Sequence, residues 1–346
     1  TFFVQSTLSK INDKFRKINR MSPVFFKDTL VVGNAHDGLL AYNLKSNNIK
    51  WRQNITFGVE ASAATINDRL FVGSNNGKVY SINMNSGEII WSFDAKNEVV
   101  AEPLIDDGIL YFISGGQSLF ALDASDGHQL WVYNHQDTAN LMTIRGGSKP
   151  SISNGVIYAG FSDGSLVSLN AKTGTSVWEI TLNRNTRFKD IDSSPIVEGD
   201  FIYVNSFDDR VYCLAKDKGD IIWSAELGGA SSINLLFDKV YVSSSRGELA
   251  ALNKKNGSLI WKIETKNGVF TEASQIDDLI VVGESRGSLM FLNPEDGKVI
   301  SSFEPGRGVF SKPSVRGDQV YFISGESNLY GIEAKYTKKS SINYLK

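Results

Sequence analysis

The chain has 346 residues, of which 41% are hydrophobic and 21% charged, and its formal net charge is -2 at pH 7. This is the composition of an ordinary folded protein and not of a disordered one. The weak net charge lacks the strongly basic character of a nucleic-acid binder, so nucleic acid is not an expected partner. No apolar run approaches the roughly 18 residues that span a bilayer as a helix, and a chain of this length is either two domains or one closed repeat.

From the N-terminus, residues 1–12 are predicted to be a tail and residues 13–19, with the sequence DKFRKIN, a single β-strand. From about residue 21 the chain follows a repeated unit of roughly forty residues. In residues 61–95 short alternating strands are separated by Asn-Gly and Ser-Gly turns, which supply the positive φ that tight hairpins require. A unit of four short strands and this length is typical of one blade of a β-propeller.

Eight units begin near residues 21, 61, 101, 148, 193, 231, 271 and 311. Six of them carry a tryptophan that follows a turn rich in glycine or small polar residues. These tryptophans are Trp51, Trp91, Trp131, Trp178, Trp223 and Trp261. One tryptophan at the same point of each blade suits a ring of equivalent interfaces, so we predict that they pack between blades and do not form stacking platforms for sugars or bases.

The last two units depart from this pattern. The seventh ends in GKVISSF, with Ile300 read as the residue at the tryptophan position, and the eighth stops after Ile332 without its fourth strand. The strand at 13–19, with Phe15 in the tryptophan register, is predicted to complete the eighth blade and remove an open sheet edge. The sequence thus predicts an all-β fold, a single eight-bladed β-propeller of four-stranded antiparallel blades over residues 13–334, with a C-terminal tail over 335–346.

Residue patterns that would carry catalysis or bind metal are missing from the sequence. The single cysteine, Cys213, lies in an apolar strand pattern and is predicted to be a small buried residue. His36, His128 and His135 have no zinc-ligand spacing, and the Asp-Gly turns lack the remaining ligands of a calcium loop. We find no phosphate-binding glycine loop and no nucleophile elbow. We therefore predict no catalytic residue, no metal and no cofactor.

Two connectors between consecutive blades, 136–147 and 183–192, are longer than the others. They flank the fourth blade and emerge on one face of the ring, while the glycine turns before each tryptophan lie on the opposite face. Loops on a rigid scaffold commonly carry binding residues. The first loop places aliphatic residues beside an arginine, as protein-binding surfaces do, and the second carries aspartates that could instead pair with that arginine and fasten the loops together. The candidate partner-binding residues are Leu141, Met142, Ile144, Arg145, Asp190 and Asp192.

The repeat in LDASDGHQLW and LNAKTGTSVW resembles that of pyrroloquinoline-quinone-type propellers, which identifies blades and not a cofactor. In the long loops, MTIRG at 142–146 and DIDSSP at 190–195 resemble motifs of the BamB family, the propeller lipoproteins of the outer-membrane β-barrel assembly machinery. The resemblance implies a non-catalytic scaffold, monomeric by itself, that docks on the periplasmic POTRA domains of BamA and assists folding and insertion of barrel proteins. The residues it carries over are Met142, Ile144, Arg145, Asp190 and Asp192.

The resemblance also implies a place at the periplasmic face of the outer membrane, held by a lipid on a cysteine upstream of this chain, and unfolded outer-membrane proteins as further partners. Two other functions stay open from the sequence. A quinone-dependent dehydrogenase would need cationic and polar residues converging in the channel together with calcium. A glycan-binding propeller would need clustered exposed aromatic residues, for which Phe270 and Phe310 are candidates.

Overall fold

The computed structural model describes residues 20–135, 148–182, 191, 193–227, 233–265 and 268–334, and the backbone of residues 3–6. Its strands form eight four-stranded antiparallel sheets, each one blade of a ring. The prediction of an eight-bladed β-propeller is therefore confirmed. The described residues contain no helix long and apolar enough to cross a membrane.

In every blade but the eighth, four consecutive strands run in order from the innermost strand outward. The strands of the first four blades are β2 (Val24–Phe26), β3 (Thr29–Asn34), β4 (Gly38–Asn43) and β5 (Asn48–Asn54); β6 (Ala64–Ile66), β7 (Arg69–Gly73), β8 (Lys78–Asn83) and β9 (Ile89–Asp94); β10 (Leu104–Asp106), β11 (Ile109–Ser114), β12 (Ser118–Asp123) and β13 (Gln129–Asn134); β14 (Ser151–Ser153), β15 (Val156–Gly160), β16 (Ser165–Asn170) and β17 (Ser176–Thr181).

The strands of the fifth to eighth blades are β18 (Ile196–Glu198), β19 (Phe201–Ser206), β20 (Arg210–Ala215) and β21 (Ile221–Ala225); β22 (Ile233–Leu236), β23 (Lys239–Ser243), β24 (Glu248–Asn253) and β25 (Leu259–Glu264); β26 (Ser274–Ile276), β27 (Leu279–Gly283), β28 (Leu289–Leu292) and β29 (Val299–Phe303); β30 (Ser314–Arg316), β31 (Gln319–Ile323), β32 (Asn328–Glu333) and β1 (Phe3–Ser6).

The core lies between adjacent blades, because the two middle strands of each blade are buried on both faces. Val72 of β7 and Val31 of β3, for example, belong to one apolar cluster that joins the first two blades. The outermost strands alternate between buried or half-buried residues and exposed ones. This is the burial expected when each sheet is sandwiched between two others and has only its outer edge in water.

Each tryptophan joins its blade to the next. The indole Nε1 of Trp51 donates a hydrogen bond to the Met84 carbonyl at 2.9 Å, and that of Trp261 to the Pro294 carbonyl at 2.9 Å. The remaining four donate to the equivalent carbonyls, those of Ala124, Ala171, Lys216 and Lys254. The ring contacts the turn glycine of the next blade, so closely that a Cβ on Gly257 would lie 2.5 Å from the Trp223 ring.

The strand that closes the ring is β1, and its position corrects the prediction from the sequence. Phe3–Ser6 pairs antiparallel with β32, with Phe3 opposite Gly331. Gly331 is equivalent to Ala251, which faces Trp261, so Phe3 and not Phe15 occupies the tryptophan register. The closing strand thus lies within the segment 1–12 that was predicted to be a tail, whereas residues 7–19 and 335–346 lie outside the described residues.

The seventh blade also differs from the prediction. Phe291, the residue equivalent to Ala251, pairs with Ser301 and not with Ile300. The bulge that follows this pair is common to the other blades, and Ser301 follows the turn residue Gly297 by four positions, as Trp261 follows Gly257. Ring closure explains the missing tryptophan. Its ring would pack on the turn between the third and fourth strands of the next blade, and the eighth blade has no such turn, since its fourth strand comes from the N-terminus.

The same reasoning accounts for the first blade. Its turn before Trp51 has Asn47 at φ 53° where the other turns have glycine. An asparagine tolerates positive φ. The eighth blade, which precedes the first around the ring, has Phe3 and not a tryptophan at the equivalent position of its outer strand. The turn glycine is therefore replaced only where no tryptophan precedes it.

Candidate partner-binding face

The loops that connect consecutive blades lie on the same face as the turns between the second and third strands of each blade. Val59 donates its backbone N–H to the Asn34 carbonyl at 3.0 Å, and Val99 donates to that of Ser74 at 3.1 Å. The six candidate partner-binding residues belong to two of these loops but lie outside the described residues, so the structure assigns no position to Leu141, Met142, Ile144, Arg145, Asp190 or Asp192. The described residues at both loop ends define where the loops leave and return.

The first loop leaves the third blade at His135, whose side chain is only 4% exposed. Its Nε2 lies 2.8 Å from Oδ2 of Asp163, in a turn of the fourth blade, and its ring stacks on Phe161 at 4.3 Å between centroids. Gln117 adds a second link, because its Oε1 accepts the N–H of Ser162 at 3.0 Å. The start of the loop is thus fixed to the neighbouring blade.

The carboxyl of Asp163 is held in its charged form. Its partial burial disfavours ionisation, but the hydrogen bonds from His135 and from the Ser165 backbone outweigh that effect and lower its pKa. A hydrogen-bonded carboxylate next to an imidazole is a stable electrostatic pair. This pair anchors the start of the first loop.

Both described ends of the second loop are hydrogen-bonded to the fourth blade. Leu182 donates its N–H to the Gly164 carbonyl at 2.9 Å, and Ile191 donates to that of Phe161 at 3.1 Å. The Ile191 side chain is buried and fills the space over Gly160, where any Cβ would overlap it. The start of the first loop and both described ends of the second therefore contact one short turn of the fourth blade.

The returning ends of the loops are hydrogen-bonded to each other. Ser148 Oγ donates to the Ser193 carbonyl at 3.2 Å, and Lys149 donates its N–H to Ser194 Oγ at 3.1 Å. The two loops consequently emerge side by side, as the prediction from the sequence required. We call the two loops, residues 136–147 and 183–192, the rim.

An acidic group that sequence reasoning missed lies in the fifth blade, in the turn after Asn205. Burial raises the pKa of Asp208, although the Tyr212 hydroxyl donates a hydrogen bond to its Oδ2. Its Oδ1 is buried without a hydrogen-bond partner among the described residues. Ser193 Oγ donates a hydrogen bond to the Asn205 carbonyl at 2.8 Å, so this turn begins beside the returning end of the second loop. A carboxyl whose pKa is raised by burial often accompanies a functional surface, but no local sequence pattern identifies Asp208.

The remaining candidates for chemistry have structural roles. Burial raises the pKa of the Cys213 thiol to about 11, which suppresses its reactivity as a nucleophile. Asp123, Asp126 and His128 have ligand atoms within 4.8 Å of one another. However, Asp123 accepts the N–H of Ser125 as Asn83 accepts that of Asn85 in the second blade, so this cluster repeats the ordinary blade turn. Phe270 is buried and is not available to a sugar.

The channel along the ring axis is a cavity of about 1040 Å³ lined from all eight blades. Its described charged residues are Arg20, Glu60, Glu102, Lys149, Glu272 and Lys312. Lys149 forms an ion pair with Glu102, and Lys312 with Glu272. Three cations and three anions leave no net positive charge for a tricarboxylate quinone, and Cys213 has no adjacent cysteine. The described residues therefore do not fit that cofactor.

The family model of the outer membrane protein assembly factor BamB matches residues 35–263 and 245–340. The chain is 28% identical over 113 residues to BamB of Nitrosomonas eutropha and 28% identical over 112 residues to BamB of Pseudomonas aeruginosa. These segments cover 31% of this chain in both cases, and 27% and 30% of the respective relatives. The aligned part is thus under a third of the relatives' length.

Among solved structures, BamB from Moraxella catarrhalis superposes with a TM-score of 0.80 at 21% identity, over 96% of this chain and 100% of that one. The quinohemoprotein alcohol dehydrogenase from Comamonas testosteroni gives a TM-score of 0.78 at 13% identity, over 94% of this chain and 76% of that one. At such identities the likenesses establish the fold. The family model covers most of the chain, and the chain therefore belongs to the BamB family of outer membrane protein assembly factors.

Proposed function

We propose that this protein is a non-catalytic scaffold of outer-membrane protein assembly, which docks on a protein partner through the rim over the fourth blade. The observation that carries the proposal is the match to the BamB family model over residues 35–340. The hydrogen bonds between the returning ends of the two long loops support it, because they hold these ends side by side at the fourth blade.

The partner is the array of periplasmic POTRA domains of BamA. Aliphatic residues and Arg145 form the centre of the contact, with Asp190 and Asp192 beside them. A specific interface buries about 800 Å² on each partner, and in this proposal the two loops supply the centre of that area. Unfolded outer-membrane proteins are further partners of the assembled complex.

The protein acts at the periplasmic face of the outer membrane, attached by a lipid on a residue upstream of this chain. It performs no reaction itself. The raised thiol pKa of Cys213 and the balanced charges of the channel support a binding role, since neither offers a nucleophile or a cofactor site.

Co-elution with a purified POTRA array tests the proposal. Arg145→Glu and Asp192→Ala should each weaken binding at least tenfold, because each removes a charged contact near the centre of the interface. Arg286→Glu is the matched control, an exposed arginine on the same face in the seventh blade. Asp200→Ala is the second control, on the opposite face and 97% exposed. Both controls should bind like the wild type.

Unchanged co-elution of both loop variants, or equal losses in the controls, would place the contact elsewhere. Failure of the wild type to bind any POTRA domain would reject the partner. Dye reduction on addition of pyrroloquinoline quinone and calcium would instead favour an enzyme. The observation that favours this second function is the fold shared with the alcohol dehydrogenase.

A further inference from the structure

The two ion pairs in the axial channel lie on opposite walls. Glu102 and Lys149 precede the inner strands of the third and fourth blades, and Glu272 and Lys312 precede those of the seventh and eighth. Half of the eight-bladed ring separates the two pairs. Each wall therefore carries one carboxylate and one ammonium group, in the same order around the axis.

The paired groups are within reach of a ligand in the channel. The side chains of Lys149 and Glu102 are 35% and 33% exposed, and those of Lys312 and Glu272 are 37% and 30% exposed. All four line the cavity. Its volume of about 1040 Å³ is at the upper end of the range usual for small-molecule sites.

Between the two walls the described lining also carries Arg20 and Glu60, which precede the inner strands of the first and second blades, and several hydroxyl groups. Ser194 Oγ accepts the Lys149 N–H and Ser62 Oγ accepts the Ser22 N–H, and either hydroxyl can still donate its own proton. Ser151 Oγ is buried on the same lining and has no partner among the described residues. Polar groups thus converge on the cavity from several blades.

We propose that the channel binds a short zwitterionic peptide, with its ammonium group on the glutamate of one wall and its carboxylate on the lysine of the other. At these two walls a net anion would meet Glu102 or Glu272 beside each lysine, and a net cation would meet a lysine beside each glutamate. A ligand that carries both charges extends both ion pairs and repels neither. The equivalent order of charges on the two walls admits either direction of the peptide.

Titration calorimetry with unblocked trialanine tests the proposal. A peptide of about 16 heavy atoms with the efficiency usual for small ligands should bind with a dissociation constant of about 0.3 mM. Dialanine and tetraalanine define the length that spans the channel, since an extended chain advances about 3.3 Å per residue. Trialanine blocked at both ends, and succinate, should bind at least tenfold more weakly.

A double substitution removes the charges of one wall. Glu102→Gln with Lys149→Gln should weaken trialanine binding at least tenfold. The matched control is Glu248→Gln with Lys262→Gln, which removes a Lys–Glu pair of 2.6 Å between the third and fourth strands of the sixth blade, and it should bind like the wild type. A thermal melt of each variant verifies folding. If a variant does not fold, the comparison of blocked and unblocked trialanine on the wild type still tests the proposal.

No binding of any unblocked peptide below about 10 mM, or equal binding of the blocked peptide, would overturn the proposal. Succinate that binds as tightly as trialanine would also overturn it, in favour of a simple anion site. The proposal is independent of partner docking, because the channel variants should co-elute with POTRA domains as the wild type does.

Discussion

The contact between turn glycine and tryptophan makes a quantitative prediction about ring stability. Gly257 has φ +70°, and a Cβ there would lie 2.5 Å from the Trp223 ring. Gly317 has φ +59°, with nothing within 4 Å of its Cβ position. Both positions impose the left-handed conformation on alanine, at a cost of about 1–2 kcal/mol, but only Gly257→Ala also forces two packed blades apart, which adds about 1–3 kcal/mol.

Thermal unfolding of the whole protein measures the difference. With 346 residues, the entropy of unfolding is about 0.7 kcal/mol/K, so 1 kcal/mol corresponds to about 1.4 °C in Tm. Gly317→Ala should lower Tm by about 1–3 °C and Gly257→Ala by about 3–7 °C. In a double-mutant cycle with Trp223→Leu, the combined loss should fall short of the sum by at least about 1 kcal/mol.

Equal Tm shifts for the two glycine variants would refute this account of the blade interfaces. Additive losses in the double-mutant cycle would refute it as well, because the cost of the new Cβ would then not come from the tryptophan ring.

Three further predictions concern buried polar groups. Ser81 and Ser168 are fully buried with no partner for their hydroxyls among the described residues, so alanine at either position should leave stability unchanged or raise it by about 1 kcal/mol, and a loss beyond 1 kcal/mol in thermal melts would contradict this. Asp163→Asn should cost about 1–2 kcal/mol at pH 7 by denaturant titration. Because the pKa of Asp163 is lowered in the folded state, its contribution is complete above the unfolded value of about 3.9 and is lost as the pH falls through the folded value, so wild type and variant should converge in acid; a constant gap would contradict the pairing with His135. Cys213, with its pKa raised to about 11, should react with a thiol reagent at pH 8 only after denaturant is added, and immediate reaction of the native protein would contradict its burial.

The repeat was readable from the sequence because everything that defines a blade is local. Alternating strands, positive-φ turns and one tryptophan per unit recur within about forty residues, so the number of blades and the order of strands follow directly. The starts predicted near residues 61 and 101 precede the inner strands at Ala64 and Leu104 by three residues.

The candidate site was only partly readable. The lengths of the two long connectors predicted neighbouring loops, and the Ser148–Ser193 hydrogen bond brings their ends together. No sequence pattern predicts the raised pKa of the Asp208 carboxyl, because its burial depends on how adjacent blades pack. The positions of Arg145 and the other loop residues stay predictions.

Tertiary structure alone decided which strand closes the ring and which charges meet. The sequence does not decide between 3–6 and 13–19 as the closing strand, and only pairing with β32 selects Phe3–Ser6, because strand propensity depends on neighbours. Glu102 and Lys149 are 47 positions apart in the sequence, and they form an ion pair because the ring places successive inner strands side by side around one axis.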